Sequence, residues 1–259
     1  NTGMFSDIIN EITILDINSD GVDDIGVTIS ESDNVSVIYG DNGSFVWNID
    51  PGEGAHTIVG ADIDNDGFNN ELYVGDYGDP TALNETSGII WTDAISSGYV
   101  VESAIVDIYG NGEDGVVFGR SNAIHIYNRT GSSICSGAVN DYPGSITVAD
   151  FNNDNKQEIL VGTYHSSNNN GSLYLFNLSC DLLWNLNQDS GNIGYHSDGG
   201  SFATSPATDV GDSNGDGILD GGVVYAEGYL FVYQDVNCIA EFSDSTAYNM
   251  TWNNTLLKW

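Results

Sequence analysis

The sequence predicts an all-β protein with a β-propeller fold of about five four-stranded blades, with six as the alternative. Three observations support this prediction: an acidic loop recurs five times, similar apolar segments flank each copy, and no amphipathic helical pattern occurs. The flanking segments are short runs of β-branched and aromatic residues separated by Gly, Asn and Asp, which are typical of strands and turns.

The acidic loops define the repeat. Their first residues lie 46, 45, 43 and 62 residues apart, and a spacing near 45 is in the range of propeller blades. Each unit is predicted to contain strand A, the acidic loop, strand B, a top loop, strand C, a turn and strand D. One such sheet cannot bury its own two faces, so we expect the sheets to stack around an axis. The loops begin at Asp16, Asp62, Asp107, Asp150 and Asp212.

The whole chain, 1–259, is predicted to be one propeller domain. The second unit has a weak strand C in "PTALNET", and the tail either closes the ring or begins a further blade. Trp47, Trp91 and Trp184 recur in strand D, and we interpret them as packing between blades. The predicted repeats span about 8–50, 54–97, 99–140, 143–188 and 202–245, followed by a closing hairpin at 246–259.

The composition excludes several classes of partner. With 38 Asp+Glu against 4 Lys+Arg, the formal net charge is −34, so nucleic acid and anionic membrane surfaces are not expected partners. No apolar run approaches the roughly 20 residues of a membrane span. A chain that starts at Asn1 is expected to be processed or excised. The three cysteines match no zinc pattern and leave at least one unpaired, so we interpret them as isolated small residues near strand turns.

The loop "DINSDGVDD" at Asp16–Asp24 has the pattern of a hard-cation site. Oxygen-bearing side chains stand at positions 1, 3 and 5, and glycine at position 6 permits a sharp turn. An EF-hand would also need Glu at position 12, but that position falls inside a strand here. The acid at position 9 is therefore the expected closing ligand. Calcium is favoured over magnesium, which resists dehydration, and the alternative is a metal-free Asx-turn.

At this point the sequence resembles FG-GAP (VCBS-type) repeats, which form the propeller of integrin α subunits and of many secreted microbial proteins. The shared pattern is D-x-[DN]-x-[DN]-G-x-x-D between two strands, followed by an apolar run that ends in Gly. The resemblance covers nearly the whole chain and implies four or five Ca²⁺ ions at the A–B loops. It also implies partner contacts on the opposite face of the propeller.

Matched position by position, the resemblance implies the following ligands. Loops one and five match fully. Loop two has Asn at position 9, with the next residue as a substitute; loop four has Asn155 in place of glycine; loop three has Tyr109 at position 3 and is one residue short. The implied ligands are Asp16, Asn18, Asp20 and Asp24; Asp62, Asp64, Asp66 and Asn70 or Glu71; Asp107, Asn111 and Asp114; Asp150, Asn152, Asp154 and Glu158; and Asp212, Asn214, Asp216 and Asp220.

No catalytic residues are predicted, because the acids recur in phase as a scaffold does, whereas a catalytic pair should occur once. The protein is expected to be an extracellular adhesion, recognition or surface-assembly module that is secreted or lies at the cell surface. Its partner would be a protein or a glycan, and self-assembly is left open. The alternative is a calcium-dependent, lyase-like enzyme acting on polysaccharide. Such an enzyme needs a basic cleft for its polyanionic substrate, and the chain has only 4 Lys and Arg residues to form one.

Two further sets of residues are candidates for function. The repeat is broken between Trp184 and Asp212, where 28 residues replace the 15 between Trp47 and Asp62. This insertion and the top loop before it would form a partner site with Tyr164, His165, Tyr195, His196 and Asp198, or would be a tolerated surface insertion. Glycosylation sequons occur at Asn42, Asn128 and Asn177, in predicted C–D turns, and at Asn34, Asn84, Asn170, Asn249 and Asn253.

Overall fold

The computed structural model of the protein describes residues 8–29, 34–51, 54–93, 98–164, 171–188, 208–212, 219–224 and 230–233. All regular secondary structure in these ranges is β-strand, and the ranges contain no helix. The described part of the chain accordingly has no helix long and apolar enough to cross a membrane.

Four antiparallel sheets have four strands each, and a fifth has three, always in chain order. The first contains β1 (Ile9–Leu15), β2 (Asp24–Ile29), β3 (Asn34–Ile38) and β4 (Phe45–Ile49). The second contains β5 (Thr57–Ala61), β6 (Glu71–Gly75), β7 (Thr81–Leu83) and β8 (Ile89–Thr92). The third contains β9 (Val100–Asp107), β10 (Asp114–Arg120), β11 (Ala123–Tyr127) and β12 (Ser133–Ala138). The fourth contains β13 (Tyr142–Ala149), β14 (Glu158–Tyr164), β15 (Gly171–Asn177) and β16 (Leu182–Gln188), and the fifth β17 (Thr208–Gly211), β18 (Asp220–Val224) and β19 (Leu230–Tyr233).

In the first four units the strands follow the predicted order A, B, C and D. β7 has only three residues, as the weak strand C of the second unit indicates. In the first four sheets the acidic loop connects the first and second strands, and a tight turn connects the third and fourth. Both connections lie at the same end of the strands, which we call the loop face; the other end is the opposite face. The predicted closing hairpin at 246–259 lies outside the described residues, so blade number stays a prediction.

The sheets pack side by side in chain order. The first strands of successive sheets contact one another, from β1 through β5, β9 and β13 to β17, so these are the inner strands and the fourth strands are the outer edges. Three apolar clusters fill the spaces between sheets one and two, two and three, and three and four. Val35, Val37 and Leu72 in the first cluster are fully buried, as are Val116 and Tyr127 in later ones. Burial of each such side chain stabilises the fold by about 1.5–3 kcal/mol.

Hydrogen bonds between side chains also join the inner strands. The hydroxyls of Thr57 and Ser103 lie 2.6 Å apart across sheets two and three. Thr208 donates its hydroxyl to the Ser145 oxygen at 3.1 Å across sheets four and five. The carboxylate of Glu11 accepts the backbone N–H of Ile58 at 2.8 Å. Polar side chains of the inner strands therefore link adjacent blades near the axis, by bonds to side chains and to the backbone.

A second set of contacts joins neighbouring blades at the outer strands. The indole N–H of Trp47 donates to the Glu85 carbonyl in the next sheet's turn, and that of Trp91 donates to the Arg129 carbonyl, both at 3.1 Å. These bonds confirm that the strand D tryptophans pack between blades. The contacts of Trp184 with the following unit lie outside the described residues.

In the third sheet a disulfide replaces the tryptophan contact to the next blade. Cys135 pairs with Ile126 in the sheet register, as Trp47 pairs with Val37 in the first sheet, and its sulfur is bonded to Cys180 in the next sheet's turn. Their Cα atoms are 5.9 Å apart, and the residues are 45 apart in sequence, one repeat. The interpretation of these two cysteines as isolated residues is therefore wrong. Cys238 lies outside the described residues.

Candidate metal centre

Two backbone positions in each of the first four acidic loops have left-handed geometry. Position 4 has φ between 56° and 65°, and position 6 between 65° and 94°. A Cβ atom on the glycine at position 6 would meet nothing within 4 Å, so the positive φ, and not crowding, favours glycine there. Asn155 replaces it in the fourth loop because Asn tolerates this conformation. Position 4 is Ser19, Asn65, Gly110 or Asn153, and position 6 is Gly21, Gly67, Gly112 or Asn155.

The first carboxylate of each loop holds this turn together. In the first loop Asp16 accepts the backbone N–H groups of Asp20 and Gly21, at 3.0 and 2.8 Å. The other three loops repeat the pair of bonds from positions 5 and 6 at 2.8 to 3.1 Å. The side chain at position 5 in turn accepts the N–H of position 7, at 2.8 to 3.1 Å. All four loops thus share one hydrogen-bonded conformation.

A buried acid closes three of these loops. Asp24 accepts the N–H of Ile17 at position 2, at 3.0 Å, and it is 2% exposed. Glu158 accepts the corresponding N–H in the fourth loop at 3.0 Å, and Glu71 accepts that of the second loop at 2.8 Å. Asn70, which residue counting places at position 9, instead donates its side-chain N–H to the Ser19 hydroxyl of the first loop at 3.3 Å. The closing residue of the second loop is therefore Glu71.

The third loop differs at its end and not at its start. Its turn is formed as in the others, but the strand register pairs Asp107 directly with Asp114, so the connection is shorter. Asp114 accepts the N–H of Asp62 in the second loop at 3.0 Å. Tyr109, at position 3, is exposed and supplies no carboxylate. Fewer oxygen ligands are available here than in the other three loops.

The second loop brings together a set of acidic oxygens suited to a metal ion. One carboxylate oxygen from each of Asp62, Asp64 and Glu71 lies within 4.8 Å of the other two. The pKa of Glu71 is raised to about 7, mainly by burial and additionally by the neighbouring carboxylates, while the hydrogen bond from the Ile63 N–H opposes the change. Burial likewise raises the pKa of Glu158 in the fourth loop to about 7. A cation would relieve this repulsion, and carboxylate oxygens are the ligands that Ca²⁺ prefers.

Neighbouring loops are hydrogen-bonded to one another. The N–H of Asp16 donates to the Asn69 carbonyl at 2.8 Å, and the N–H of Asp107 donates to the Gln157 side chain at 2.7 Å. With the bond from Asp62 to Asp114, these contacts connect loops one to four in series. In the fifth loop, Asn214, Asp216 and the side chain of Asp220 lie outside the described residues, and Asp212 is exposed at the end of β17.

The predicted partner site is only partly visible. Tyr164 is 3% exposed and stacks on Tyr142 with ring centroids 5.7 Å apart, so its ring belongs to the core and its predicted contact with a partner is wrong. His165, Tyr195, His196 and Asp198 lie outside the described residues. The opposite face instead presents Tyr99, 45% exposed, which packs edge-on to Tyr77 at 4.5 Å. Tyr99 immediately precedes β9 and Tyr142 begins β13, and a tyrosine at this repeated position is a signal that the sequence analysis missed.

The sequon asparagines occupy one structural position in four sheets. Asn42, Asn128 and Asn177 lie at the turn between the third and fourth strands, and the structure adds Asn84 to this set. The side-chain oxygen of each accepts a backbone N–H from its own turn, at 2.7 to 2.9 Å. Asn34 begins β3, and Asn170, Asn249 and Asn253 lie outside the described residues.

Comparisons with known proteins agree with this fold. The FG-GAP repeat family matches residues 142–176, which cover β13 to β15 and the fourth acidic loop. No curated protein matches the chain. Among solved structures, BBS1N in complex with ARL6DN has a TM-score of 0.62 at 14% identity, and the alignment covers 87% of this chain and 64% of BBS1N. The chain thus spans less than two thirds of that protein.

Two further structures are similar to the chain. Hydrazine synthase from Kuenenia stuttgartiensis has a TM-score of 0.59 at 12% identity, with 90% of this chain and 68% of that chain covered. A protein of unknown function from Bacteroides caccae has a TM-score of 0.50 at 13% identity, with 78% and 64% covered. BBS1N and hydrazine synthase are β-propeller proteins. The predicted resemblance and fold are therefore confirmed: residues 142–176 match the FG-GAP repeat, and the chain has a β-propeller fold.

Proposed function

We propose that this chain is an extracellular calcium-binding β-propeller that serves adhesion, recognition or surface assembly and carries no catalytic site. The observation that best supports the proposal is the shared conformation of four acidic loops, three of them closed by a buried acid. The metal ligands would be the Asp and Asn side chains at positions 1, 3 and 5 of loops one, two and four, together with the closing acids Asp24, Glu71 and Glu158. Loop five keeps its full ligand pattern, and loop three would bind most weakly.

Two features support an extracellular location. Cys135 and Cys180 form a disulfide, and disulfides persist mainly in oxidising environments. Four sequons lie at equivalent turns on the surface of the protein, and N-linked sugars are surface modifications of secreted proteins. Protein recognition in general is supported by BBS1N, a propeller crystallised in complex with ARL6DN. Because the four sequon turns crowd the loop face, the opposite face is where we place a protein or glycan partner.

A polysaccharide lyase is less well supported. Such an enzyme needs an open cationic cleft for its polyanionic substrate. Arg120 is 4% exposed, and Arg129 lies 3.6 Å from the carboxylate of Glu113, so neither offers free positive charge to a ligand. Lys156 is exposed but lies within the fourth acidic loop.

The substitution Glu71→Gln tests the calcium assignment. It removes the closing charge of the second loop at nearly constant volume, so the protein should bind one Ca²⁺ fewer in a calorimetric titration. Asn70→Ala is the matched control and should leave the number of bound ions unchanged, since Asn70 bonds to Ser19. Equal stoichiometry in Glu71→Gln and wild type would contradict the proposal.

Intact-mass analysis of the secreted protein tests glycosylation. We expect a mass above the 27.7 kDa of the bare chain, with sugars at Asn42, Asn84, Asn128 and Asn177. A mass equal to the bare chain refutes glycosylation. Sugars found only at other sequons would refute the preference for the turns between third and fourth strands.

A further inference from the structure

The outer strand of each complete sheet carries one or two exposed apolar side chains within its first two residues. Ile89 and Ile90 are 62% and 42% exposed, Leu182 and Leu183 are 49% and 40%, and Phe45 and Ile134 are 44% and 38%. These six residues, which we call the apolar rim, lie one or two positions before Trp47, Trp91, Cys135 or Trp184. An isolated exposed aliphatic residue is ordinary, but the same exposure repeated in four sheets is a pattern.

These outer strands also lack the usual protection of a sheet edge. An edge strand presents unpaired backbone groups, and proteins commonly discourage its pairing with other chains by charged residues or proline. β4, β8, β12 and β16 contain no charged residue and no proline, although the chain has 38 Asp+Glu. The outer strands therefore lack the acidic side chains that would discourage their pairing with another chain.

Each sequon is fixed beside the apolar rim by one recurring hydrogen bond. The side-chain oxygen of Asn84 accepts the N–H of Gly88 at 2.7 Å, and Gly88 directly precedes Ile89. In the other three turns the sequon oxygen likewise accepts the N–H of the last residue before the outer strand, at 2.8 to 2.9 Å. The acceptor and donor pairs are Asn42 with Ser44, Asn128 with Ser132, and Asn177 with Asp181.

We propose that N-linked sugars at these four asparagines lie over the apolar rim and prevent the outer strands from pairing with other copies of the protein. The inference rests on the proposed glycosylation. A pyranose ring has an apolar C–H face that packs on aliphatic side chains, while its hydroxyls remain in water. The oxygen of each asparagine is engaged by the turn, and its amide nitrogen is the atom that carries the sugar.

The test removes the sugars and keeps the backbone hydrogen bonds to the four asparagine oxygens. Thr86→Ala and Thr130→Ala each also remove a hydroxyl that donates to the asparagine oxygen of its own turn. Replacing the third residue of each sequon (Ser44→Ala, Thr86→Ala, Thr130→Ala and Ser179→Ala) abolishes glycosylation but keeps all four asparagines. In sedimentation velocity, wild type should stay monomeric, whereas this variant should reach at least twice the monomer mass and bind a fluorescent apolar dye several-fold more strongly. Adding Ile89→Thr, Ile90→Thr, Leu182→Thr and Leu183→Thr should restore the monomer.

The outcomes separate the two proposals. A glycosylated wild type whose sugar-free variant stays monomeric with unchanged dye binding overturns the rim inference alone. A wild type with the mass of the bare chain overturns both. If the fourfold variant fails to fold, Thr86→Ala alone is compared with wild type by dye binding, and an unchanged signal again overturns the inference.

Discussion

Removal of calcium should lower the melting temperature of this propeller by roughly 15 °C or more. A ligand at 100 times its dissociation constant stabilises the folded state by about 2.7 kcal/mol per site, so three well-formed loops supply roughly 8 kcal/mol. For a domain of this size each kcal/mol shifts the midpoint by about 2–4 °C. Thermal unfolding in chelator and in excess Ca²⁺ measures the difference, and Mg²⁺ should restore less of it.

The pH dependence in chelator provides the control. Glu71 and Glu158 have folded pKa values of about 7 against an ordinary 4.5, so the folded state binds protons more tightly than the unfolded chain. Their stabilising protonation is complete below pH 4.5 and is lost as the pH rises through 7. The calcium-free protein should therefore melt higher at pH 5 than at pH 8, while bound Ca²⁺ should abolish that advantage. A melting temperature insensitive to chelator at pH 8 would contradict calcium as a structural ion.

Loss of the disulfide should have the second largest effect on stability. Closing a loop of 45 residues between Cys135 and Cys180 stabilises the fold by about 4 kcal/mol through the entropy of the unfolded chain. This corresponds to a fall of roughly 10 °C in melting temperature. Calorimetry of wild type with and without reductant, and of Cys135→Ser/Cys180→Ser, measures it.

The double serine variant also supplies the control for reduction. Reductant should lower the melting temperature of wild type to about that of the variant, and should leave the variant itself unchanged. An equal effect of reductant on both proteins would show that it acts elsewhere, for instance at Cys238. A variant as stable as wild type would contradict a stabilising bond between the third and fourth sheets.

The repeat made most of the fold predictable from the sequence. Strand periodicity and loop spacing located the sheets, and glycine or Asn at position 6 located the turns. What could not be read directly was the register between strands. Counting residues placed Asn70 at the closing position, but Ala61 pairs with Glu71 in the sheet, so the loop is one residue longer. The burial of Tyr164 depends on β13, the neighbouring strand in the sheet, where Tyr142 pairs with it.

The disulfide was predictable in principle but was missed. Cys135 and Cys180 are adjacent only because neighbouring blades pack together, and local spacing gives no hint of that contact. The signal was their separation of 45 residues, which equals the repeat and aligns Cys135 with the strand D tryptophans. Comparing cysteine spacing with the repeat, and not with metal-binding patterns, would have found the pair.

The same bond sets how far the molecule can stretch under tension. If a surface protein is pulled by its two ends, unfolded residues extend by about 3.3–3.6 Å each. Cys135 and Cys180 are 45 residues apart, and the segment between them cannot extend while the bond is intact, so roughly 150 Å of length is not available to the applied force. Sheets one and two can be drawn out completely, whereas most of sheet four remains a tethered loop. Reduction would let this segment extend, so the oxidation state of Cys135 and Cys180 would determine how far the molecule extends under tension.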